Sequence, residues 1–204
     1  MLNGRVILIS NVTHFAGMPA MRVLLDLGAT VIAHDTSFMA ETTRSEFEVN
    51  HEGVTAVAIQ DPKTLVKSIT KRFGRLDALV SNDVGEAKKA KIEDADVDDF
   101  RTALEDMTVA PFAMASAVTP TMKAQQSGKI IFVTSATPIR GLPNYSMYAT
   151  ARGAANSLAL TLAQELARDN IQVNALAPNY VESPSYFPKE MLENPETLEK
   201  ITKN

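Results

Sequence analysis

The chain has 204 residues, enough for one domain with a full core, and 45% of them are hydrophobic. Its net charge of −4 gives no reason to expect a nucleic acid or an anionic membrane as a partner. It contains no cysteine, which excludes disulfides and cysteine nucleophiles, and its three histidines lack metal-ligand spacing. Neither a signal peptide nor an apolar run of the roughly 18 residues that cross a membrane is visible, so we expect a cytoplasmic protein.

Short apolar runs alternate with helical patterns along the chain. The predicted strands are VILIS, TVIA, TAVAI, DALVS, KIIFVTS and QVNALA, at residues 6–10, 30–33, 55–59, 77–81, 129–135 and 172–177. The predicted helices between them span about 18–27, 41–48, 62–73, 96–125 and 146–168. Strands that are apolar on both faces and alternate with helices predict an α/β fold with a doubly wound parallel sheet. Ligands of such a sheet bind at the carboxyl ends of its strands.

Three stretches lie where those strand ends should converge: SNVTHFAG at 10–17, TSATP at 134–138 and YATAR at 148–152. Tyr148 and Arg152 are four residues apart, so they share one face of a helix. A fixed positive charge lowers the pKa of a nearby tyrosine, and arginine keeps its charge at any working pH. The Ser135 hydroxyl can then hold a substrate oxygen while the tyrosine takes its proton. This predicts a general-base site; the alternative is a surface tyrosine, a solvated arginine and a helix-capping serine.

Ser135, Tyr148 thirteen residues later and a base four residues beyond resemble the short-chain dehydrogenase/reductase superfamily, over essentially the whole chain. Two departures set the chain apart from the dehydrogenases of that superfamily. The catalytic Tyr-x-x-x-Lys is Tyr-x-x-x-Arg here, and the phosphate loop TGxxxGxG is SNVTHFAG, with Asn11 and Phe15 in place of two glycines. A phosphate cradle needs glycines so that backbone N–H groups approach the anion, and the Phe15 ring would occupy the volume of a dinucleotide.

These departures resemble the halohydrin dehalogenases, a cofactor-independent branch of the superfamily marked by a Ser-Tyr-Arg triad and an aromatic residue in the first loop. The motifs NVxHFxG, HDxSF, VSND, SATP and PNY are also similar to that family. The resemblance implies a carbon–halide lyase with Ser135, Tyr148 and Arg152 as catalytic residues and without cofactor or metal. A vicinal haloalcohol would close to an epoxide as the halide ion leaves. In reverse, halide, azide, cyanide or nitrite would open an epoxide.

The same resemblance implies a halide pocket where the nicotinamide of a dehydrogenase would lie. Its walls by position are Phe15, Pro178, Asn179, Tyr180 and Val181, the last three mainly through their backbone. The candidate substrate wall, whose members equally fit plain packing, comprises Thr137, Ile139, Leu142, Pro143, Tyr186 and Phe187. Asp83 follows the fourth strand and either sets the charge balance behind the halide site or caps the next segment.

Two rival functions stay open at this point. An NAD(P)-dependent oxidoreductase with a degenerate loop would use Asp35, at the end of the second strand, to hold a ribose hydroxyl; otherwise Asp35 is a cap or turn residue. A catalytically inactive relative would bind a small ligand but has no reason to keep the triad.

The resemblance also bears on assembly and on domain organisation. We expect a homo-oligomer, a dimer or tetramer, through the small-residue-rich helix at 146–168, unless this face packs only on its own sheet. Residues 1–204 form one predicted Rossmann-like catalytic domain. Because the superfamily continues through another helix and a seventh strand, we expect this domain to be C-terminally incomplete, or else a naturally short form.

Overall fold

The computed structural model describes residues 1–183 and 186–202. Within these ranges, six parallel strands form one sheet in the order β3-β2-β1-β4-β5-β6. The strands are β1 Val6–Ile9, β2 Thr30–His34, β3 Val54–Val57, β4 Ala78–Ser81, β5 Gly128–Val133 and β6 Ile171–Leu176. The predicted doubly wound α/β fold is confirmed.

Helices pack on both faces of this sheet. They are α1 Gly17–Asp26, α2 Glu41–Asn50, α3 Pro62–Phe73, α4 Val97–Leu104, α5 Ala110–Gln125, α6 Thr137–Arg140, α7 Ser146–Leu166, α8 Lys189–Leu192 and α9 Pro195–Thr202. A π-helical turn at Glu105–Val109 joins α4 to α5, so the long helix predicted for 96–125 is continuous but contains this irregular turn. In the part of the chain that the structure describes, no helix is both long and apolar enough to span a membrane.

The central strands are apolar throughout because each of their faces enters a separate core. Val6 and Leu8 of β1 pack with residues of α3, α5 and α7, whereas Ile7 and Ile9 pack with residues of α1. All four residues of β1 are buried. The unbroken apolar runs of the sequence are therefore the signature of a sheet covered on both sides.

The order of the strands reverses beside β1, and this reversal positions the site. After β3 the chain crosses through α3 to β4, which pairs with β1 on the side opposite to β2. In doubly wound sheets, ligands bind in the crevice outside the strand ends at such a reversal. The loops that follow β1, β4, β5 and β6 surround this crevice.

The chain after β6 adds no further strand to the sheet within residues 1–183 and 186–202. It forms an isolated antiparallel bridge between Ser183 and Phe187, followed by the short helices α8 and α9. Leu176, at the end of β6, is 57% exposed. The expected lack of a seventh strand therefore holds for the described residues.

Asp77 fixes the amino ends of the central strands, at the edge of the sheet opposite to the crevice. Its carboxylate accepts hydrogen bonds from the Val6 N–H at 2.8 Å and from the guanidinium groups of Arg5 at 2.8 Å and Arg75 at 2.5 Å. Its own N–H donates to the Val6 carbonyl at 2.8 Å. These contacts hold β1 and β4 in register.

We expect Asp77→Asn to lower the free energy of unfolding by about 1–3 kcal/mol, because buried donors lose a charged acceptor. Urea denaturation at neutral pH measures the difference. The matched control is Glu193→Gln, which weakens a 4.0 Å ion pair between exposed side chains and should leave stability unchanged within error. An Asp77→Asn variant as stable as wild type would contradict the anchoring role.

Candidate active site

A cavity of about 360 Å³ opens at the carboxyl ends of the strands. Ser135 and Tyr148 line it together with Phe15. Of the other residues predicted for the halide and substrate pockets, those in its wall are Thr137, Leu142, Pro178, Asn179, Tyr180, Val181, Tyr186 and Phe187. Ile139 and Pro143 are exposed and lie outside this lining, although neighbouring residues of the same segment belong to it. Four of the six candidates for the substrate wall therefore line the cavity, and these two do not.

Arg152 lies behind Tyr148, one helical turn further along α7. It is 1% exposed, and its guanidinium carbon is 5.5 Å from the centre of the Tyr148 ring. Its Nη1 donates to the carbonyls of Asp83 at 2.9 Å and Val133 at 3.1 Å, and its Nη2 donates to the Tyr186 hydroxyl at 3.0 Å. Burial alone would lower the pKa of Arg152, but the hydroxyls of Tyr186 and Tyr148 raise it above its ordinary value. A permanent positive charge is thus buried beside both tyrosines.

Ser135 follows β5 and lies directly before α6. It is 3% exposed, and its Oγ accepts a hydrogen bond from the Thr137 N–H at 3.1 Å, at the start of α6. Its hydroxyl proton points to the Thr137 hydroxyl at 3.0 Å. Ser135 therefore supports the first turn of α6 and also presents a hydroxyl to the cavity.

The first loop, residues 10–17, is held by hydrogen bonds within the protein. Six of its backbone N–H groups donate to protein acceptors, namely those of Ser10, Val12, Thr13, His14, Ala16 and Gly17. A phosphate cradle needs such N–H groups directed at the anion. Because these groups are already bound, the loop does not fit the phosphates of a nicotinamide dinucleotide.

Asp35 is one of the acceptors that bind the first loop. Its fully buried carboxylate accepts from the N–H and hydroxyl of Thr13, at 3.0 and 2.7 Å, and from the N–H and hydroxyl of Ser37, at 3.0 and 2.8 Å. Burial alone would raise the pKa of Asp35, but these four hydrogen bonds hold it below its ordinary value. Of the two roles considered, the structure gives Asp35 that of a cap.

Asn82, directly after β4, binds the first loop from the other side. Its side chain donates to the carbonyls of Asn11 and His14, both at 2.9 Å, and accepts from the Ala16 N–H at 3.3 Å. The residue is completely buried. One amide group thus joins three points of the loop.

The first loop keeps the backbone path of a glycine loop without its glycines. Asn11 and Phe15 have φ values of 47° and 39°, in the left-handed region that glycine normally supplies. Gly17 remains glycine because an added Cβ would lie 2.3 Å from the Val12 carbonyl oxygen. The Phe15 ring is 9% exposed and packs edge-on against Tyr186, with centroids 5.3 Å apart. An aromatic side chain therefore fills the space over this loop.

The loop after β6 differs from the first loop in its backbone donors. It is attached to the sheet by the Ala136 N–H, which donates to the Pro178 carbonyl at 3.0 Å. The N–H groups of Asn179, Tyr180 and Val181 meet no acceptor within the described ranges. All three residues belong to the wall of the cavity.

Asp83 connects the first loop to the arginine. Its buried carboxylate accepts hydrogen bonds from Ser10 at 3.2 Å, from Asn11 at 2.9 Å and from Ser81, while its carbonyl accepts from Arg152. Burial raises the pKa of Asp83. In the described structure the charged groups of Asp83 and Arg152 are therefore linked through the backbone rather than as a direct ion pair.

Comparison with known proteins places these features in a family. Residues 5–190 match the short chain dehydrogenase family. The chain belongs to this family. A curated relative, trans-4-hydroxycyclohexanecarboxylate dehydrogenase of Sinomonas cyclohexanicum, is 32% identical over 192 residues, which cover 88% of this chain and 73% of the relative.

Two solved structures within this similarity are dehalogenases by name. One is called "Dehalogenation enzyme"; it matches with a TM-score of 0.95 and 48% identity, over 100% of this chain and 84% of the other. A halohydrin dehalogenase bound to ethyl (2S)-oxiran-2-ylacetate matches with a TM-score of 0.92 and 36% identity, over 96% of this chain and 80% of the other. The short chain dehydrogenase fold therefore has relatives of two chemical kinds.

Sequence reasoning missed part of the cavity wall. The additional lining residues are Glu86, Ala87, Thr134, Arg140, Gly141, Tyr145 and Met191. All but Met191 lie in the segments between β4 or β5 and the next long helix, so the convergence of strand ends was a usable signal for them. Met191 comes from α8, for which the sequence carried no such signal. Across residues 1–183 and 186–202, no group of three His, Asp or Glu side chains could hold a metal ion.

We expect Asp35→Asn to destabilise the protein by about 1–3 kcal/mol at neutral pH, because an amide cannot accept all four hydrogen bonds. The folded pKa of Asp35 is depressed, so its stabilisation is present above the ordinary carboxyl pKa of about 4 and is lost as the pH falls through the folded value. Urea denaturation at neutral pH and in acid measures the free energy of unfolding of both proteins. The difference between the variant and the wild type should be smaller in acid.

The control for this prediction is Asp61→Asn, at the exposed start of α3. Asp61 likewise accepts from an N–H and a hydroxyl, both of Thr64, but asparagine caps a helix as well as aspartate does. It should change stability little at either pH. If Asp35→Asn lowered the free energy of unfolding equally at neutral pH and in acid, the stabilising role of the Asp35 carboxylate would be contradicted.

Proposed function

We propose that the protein converts vicinal haloalcohols into epoxides by intramolecular displacement of halide. The observation that carries this proposal is that Ser135 and Tyr148 line one cavity with residues 179–181, whose N–H groups meet no acceptor among the described residues. Six N–H groups of the first loop, in contrast, donate to protein acceptors. The likeness to a halohydrin dehalogenase supports it. Such a site suits a substrate with one hydroxyl and a leaving anion.

Proton transfer in this proposal uses the two hydroxyls and the buried cation. The substrate hydroxyl binds between Ser135 and Tyr148, and Ser135 redirects its proton from Thr137 to the substrate oxygen. Tyr148 accepts the substrate proton. The guanidinium of Arg152 stabilises the negative charge that Tyr148 carries before it takes this proton.

Ring closure follows within the substrate itself. The alkoxide oxygen attacks the neighbouring carbon from the side opposite to the halogen, so a C–O bond forms as the carbon–halogen bond breaks, and the electron pair leaves with the halide. Because both groups belong to one molecule, orientation supplies much of the rate. No hydride moves, so the reaction needs no nicotinamide.

The leaving halide binds at the loop after β6 in this proposal. The N–H groups of Asn179, Tyr180 and Val181 donate to it, and Phe15 and Pro178 form apolar walls beside it. Because these donors recognise charge rather than a particular element, azide, cyanide and nitrite should also bind there. With an epoxide present, they would open its ring in the reverse direction.

The rival function is NAD(P)-dependent oxidoreduction, since the curated relatives include a dehydrogenase. This function requires a loop that binds the nucleotide phosphates, and here the corresponding N–H groups serve internal acceptors. The geometry therefore favours the dehalogenase proposal.

We expect the wild-type protein to release halide from a vicinal bromoalcohol without added nucleotide. Tyr148→Phe should reduce turnover by about 10²–10⁴-fold, because the base is removed while the ring stays. Halide release is followed with a halide electrode, and circular dichroism verifies that the variant is folded. A nicotinamide absorbance change with an alcohol or ketone, in the absence of halide release, would instead establish the dehydrogenase rival.

We also expect no tight uptake of NADH or NADPH, measured by nucleotide fluorescence, by either the wild type or Phe15→Gly. Removing the ring opens volume but leaves the six N–H groups of the first loop bound to protein acceptors. Micromolar binding by Phe15→Gly alone would show that the ring, and not the occupied donors, excludes the dinucleotide. Tight binding by the wild type would refute the proposed function.

A further inference from the structure

Tyr186 belongs to the irregular segment after β6, yet its hydroxyl contacts the buried arginine. Nη2 of Arg152 donates to the Tyr186 oxygen at 3.0 Å, and the Tyr186 hydroxyl donates to the Gly85 carbonyl at 2.9 Å. The Tyr186 ring lies edge-on to Phe15 and to Tyr148, with centroid distances of 5.3 and 5.9 Å. Tyr186 therefore contacts both the halide wall and the catalytic pair.

The orientation of the Arg152 guanidinium depends on this contact. Nη1 is bound by the carbonyls of Asp83 and Val133, whereas Nη2 donates to the hydroxyl of Tyr186. The hydroxyl of Tyr148 also interacts with the guanidinium. Nε of Arg152 has no partner among the described residues. Because Arg152 is 1% exposed, water does not readily replace a lost acceptor. Tyr186 thus fixes one of the two ends of the guanidinium plane.

The hydroxyl groups of Tyr186 and Tyr148 both lie beside the Arg152 guanidinium, but their surroundings differ. Tyr186 directs its proton at the Gly85 carbonyl and therefore cannot accept a proton while that bond lasts. Burial raises the pKa of Tyr186, which favours its neutral form. Tyr148, in contrast, lines the cavity beside Ser135. When similar groups have such different environments, they take different roles in proton transfer.

We propose that Tyr186 is a positioning residue for the reaction: as a neutral bridge between Arg152 and Gly85, it orients the guanidinium and leaves Tyr148 as the proton acceptor. This inference rests on the proposed dehalogenase function. It adds to the substrate-wall role predicted from the sequence, since a wall needs only the ring whereas positioning needs the hydroxyl.

The test compares Tyr186→Phe with a matched variant in the same segment, Ser183→Ala. Tyr186→Phe keeps the ring and its edge-on contacts but removes both hydrogen bonds of the hydroxyl. Ser183→Ala removes the contact in which the Tyr186 N–H donates to the Ser183 Oγ at 3.3 Å, and it leaves Arg152 untouched. If Tyr186 acts only by keeping this segment in place, the two variants should give the same results.

The first measurement needs no substrate. In arginine side-chain NMR, assigned with Arg152→Lys, a guanidinium hydrogen-bonded at both Nη atoms rotates slowly and gives separate Nη signals. We expect separate Arg152 signals in the wild type and in Ser183→Ala, and merged signals in Tyr186→Phe. Separate signals in Tyr186→Phe would overturn the proposed orientation of Arg152.

The second measurement is steady-state halide release. Tyr186→Phe should lower kcat by about ten- to a hundredfold with KM changed less than about twofold, and Ser183→Ala should keep both constants. A raised KM with unchanged kcat in Tyr186→Phe would show that Tyr186 acts only as a wall of the substrate pocket. An equal loss of kcat in both variants would show that its role is only structural. If the wild type releases no halide, the proposed function fails, while the NMR result still decides whether Tyr186 holds Arg152.

Discussion

The availability of backbone N–H groups at the strand ends is the constraint on which this site depends. In the first loop these groups are bound by Asp35, Asn82 and nearby carbonyls, whereas those of residues 179–181 have no acceptor within the described ranges. Freeing a bound N–H for a ligand leaves its former acceptor unpaired, at a cost of about 1–3 kcal/mol for a buried group. This difference is why the proposed halide site lies after β6 rather than after β1, on the same sheet.

The aromatic ring in the first loop is compatible with this arrangement on energetic grounds. A left-handed backbone at a non-glycine residue costs on the order of 1–3 kcal/mol, and Phe15 has a φ of 39°. Burying its ring contributes roughly 1.5–3 kcal/mol, and the edge-on contact with Tyr186 adds about 0.5–1.5 kcal/mol. Burial thus offsets the strain, so a phenylalanine can take a glycine position without a change in the path of the chain.

The sequence predicted the elements whose signals are local. The bounds of α3 follow from Asp61 as N-cap, Pro62 in the first turn and Gly74 in the left-handed region after the last turn. The convergence of Ser135, Tyr148 and Phe15 follows from strand order alone. In contrast, Tyr186 hydrogen-bonds to Arg152 and Gly85, which are 34 and 101 positions away along the chain. These bonds depend on how a loop without regular structure packs, and no local sequence pattern encodes that packing. The occupied N–H groups of the first loop were equally invisible, because four of their six acceptors lie in or directly after β2 and β4.

Arg152 is the point at which the strand ends are joined. It binds the Val133 carbonyl at the end of β5 and the Asp83 carbonyl after β4, and through Tyr186 it reaches the segment after β6. The Asp83 carboxylate extends this network to Asn11 in the first loop. A lysine ammonium is a compact point charge, whereas a planar guanidinium presents separate donors to acceptors on opposite sides. An arginine at this position therefore does more than supply a charge: through Tyr186 it ties the segment after β6 to the ends of β4 and β5.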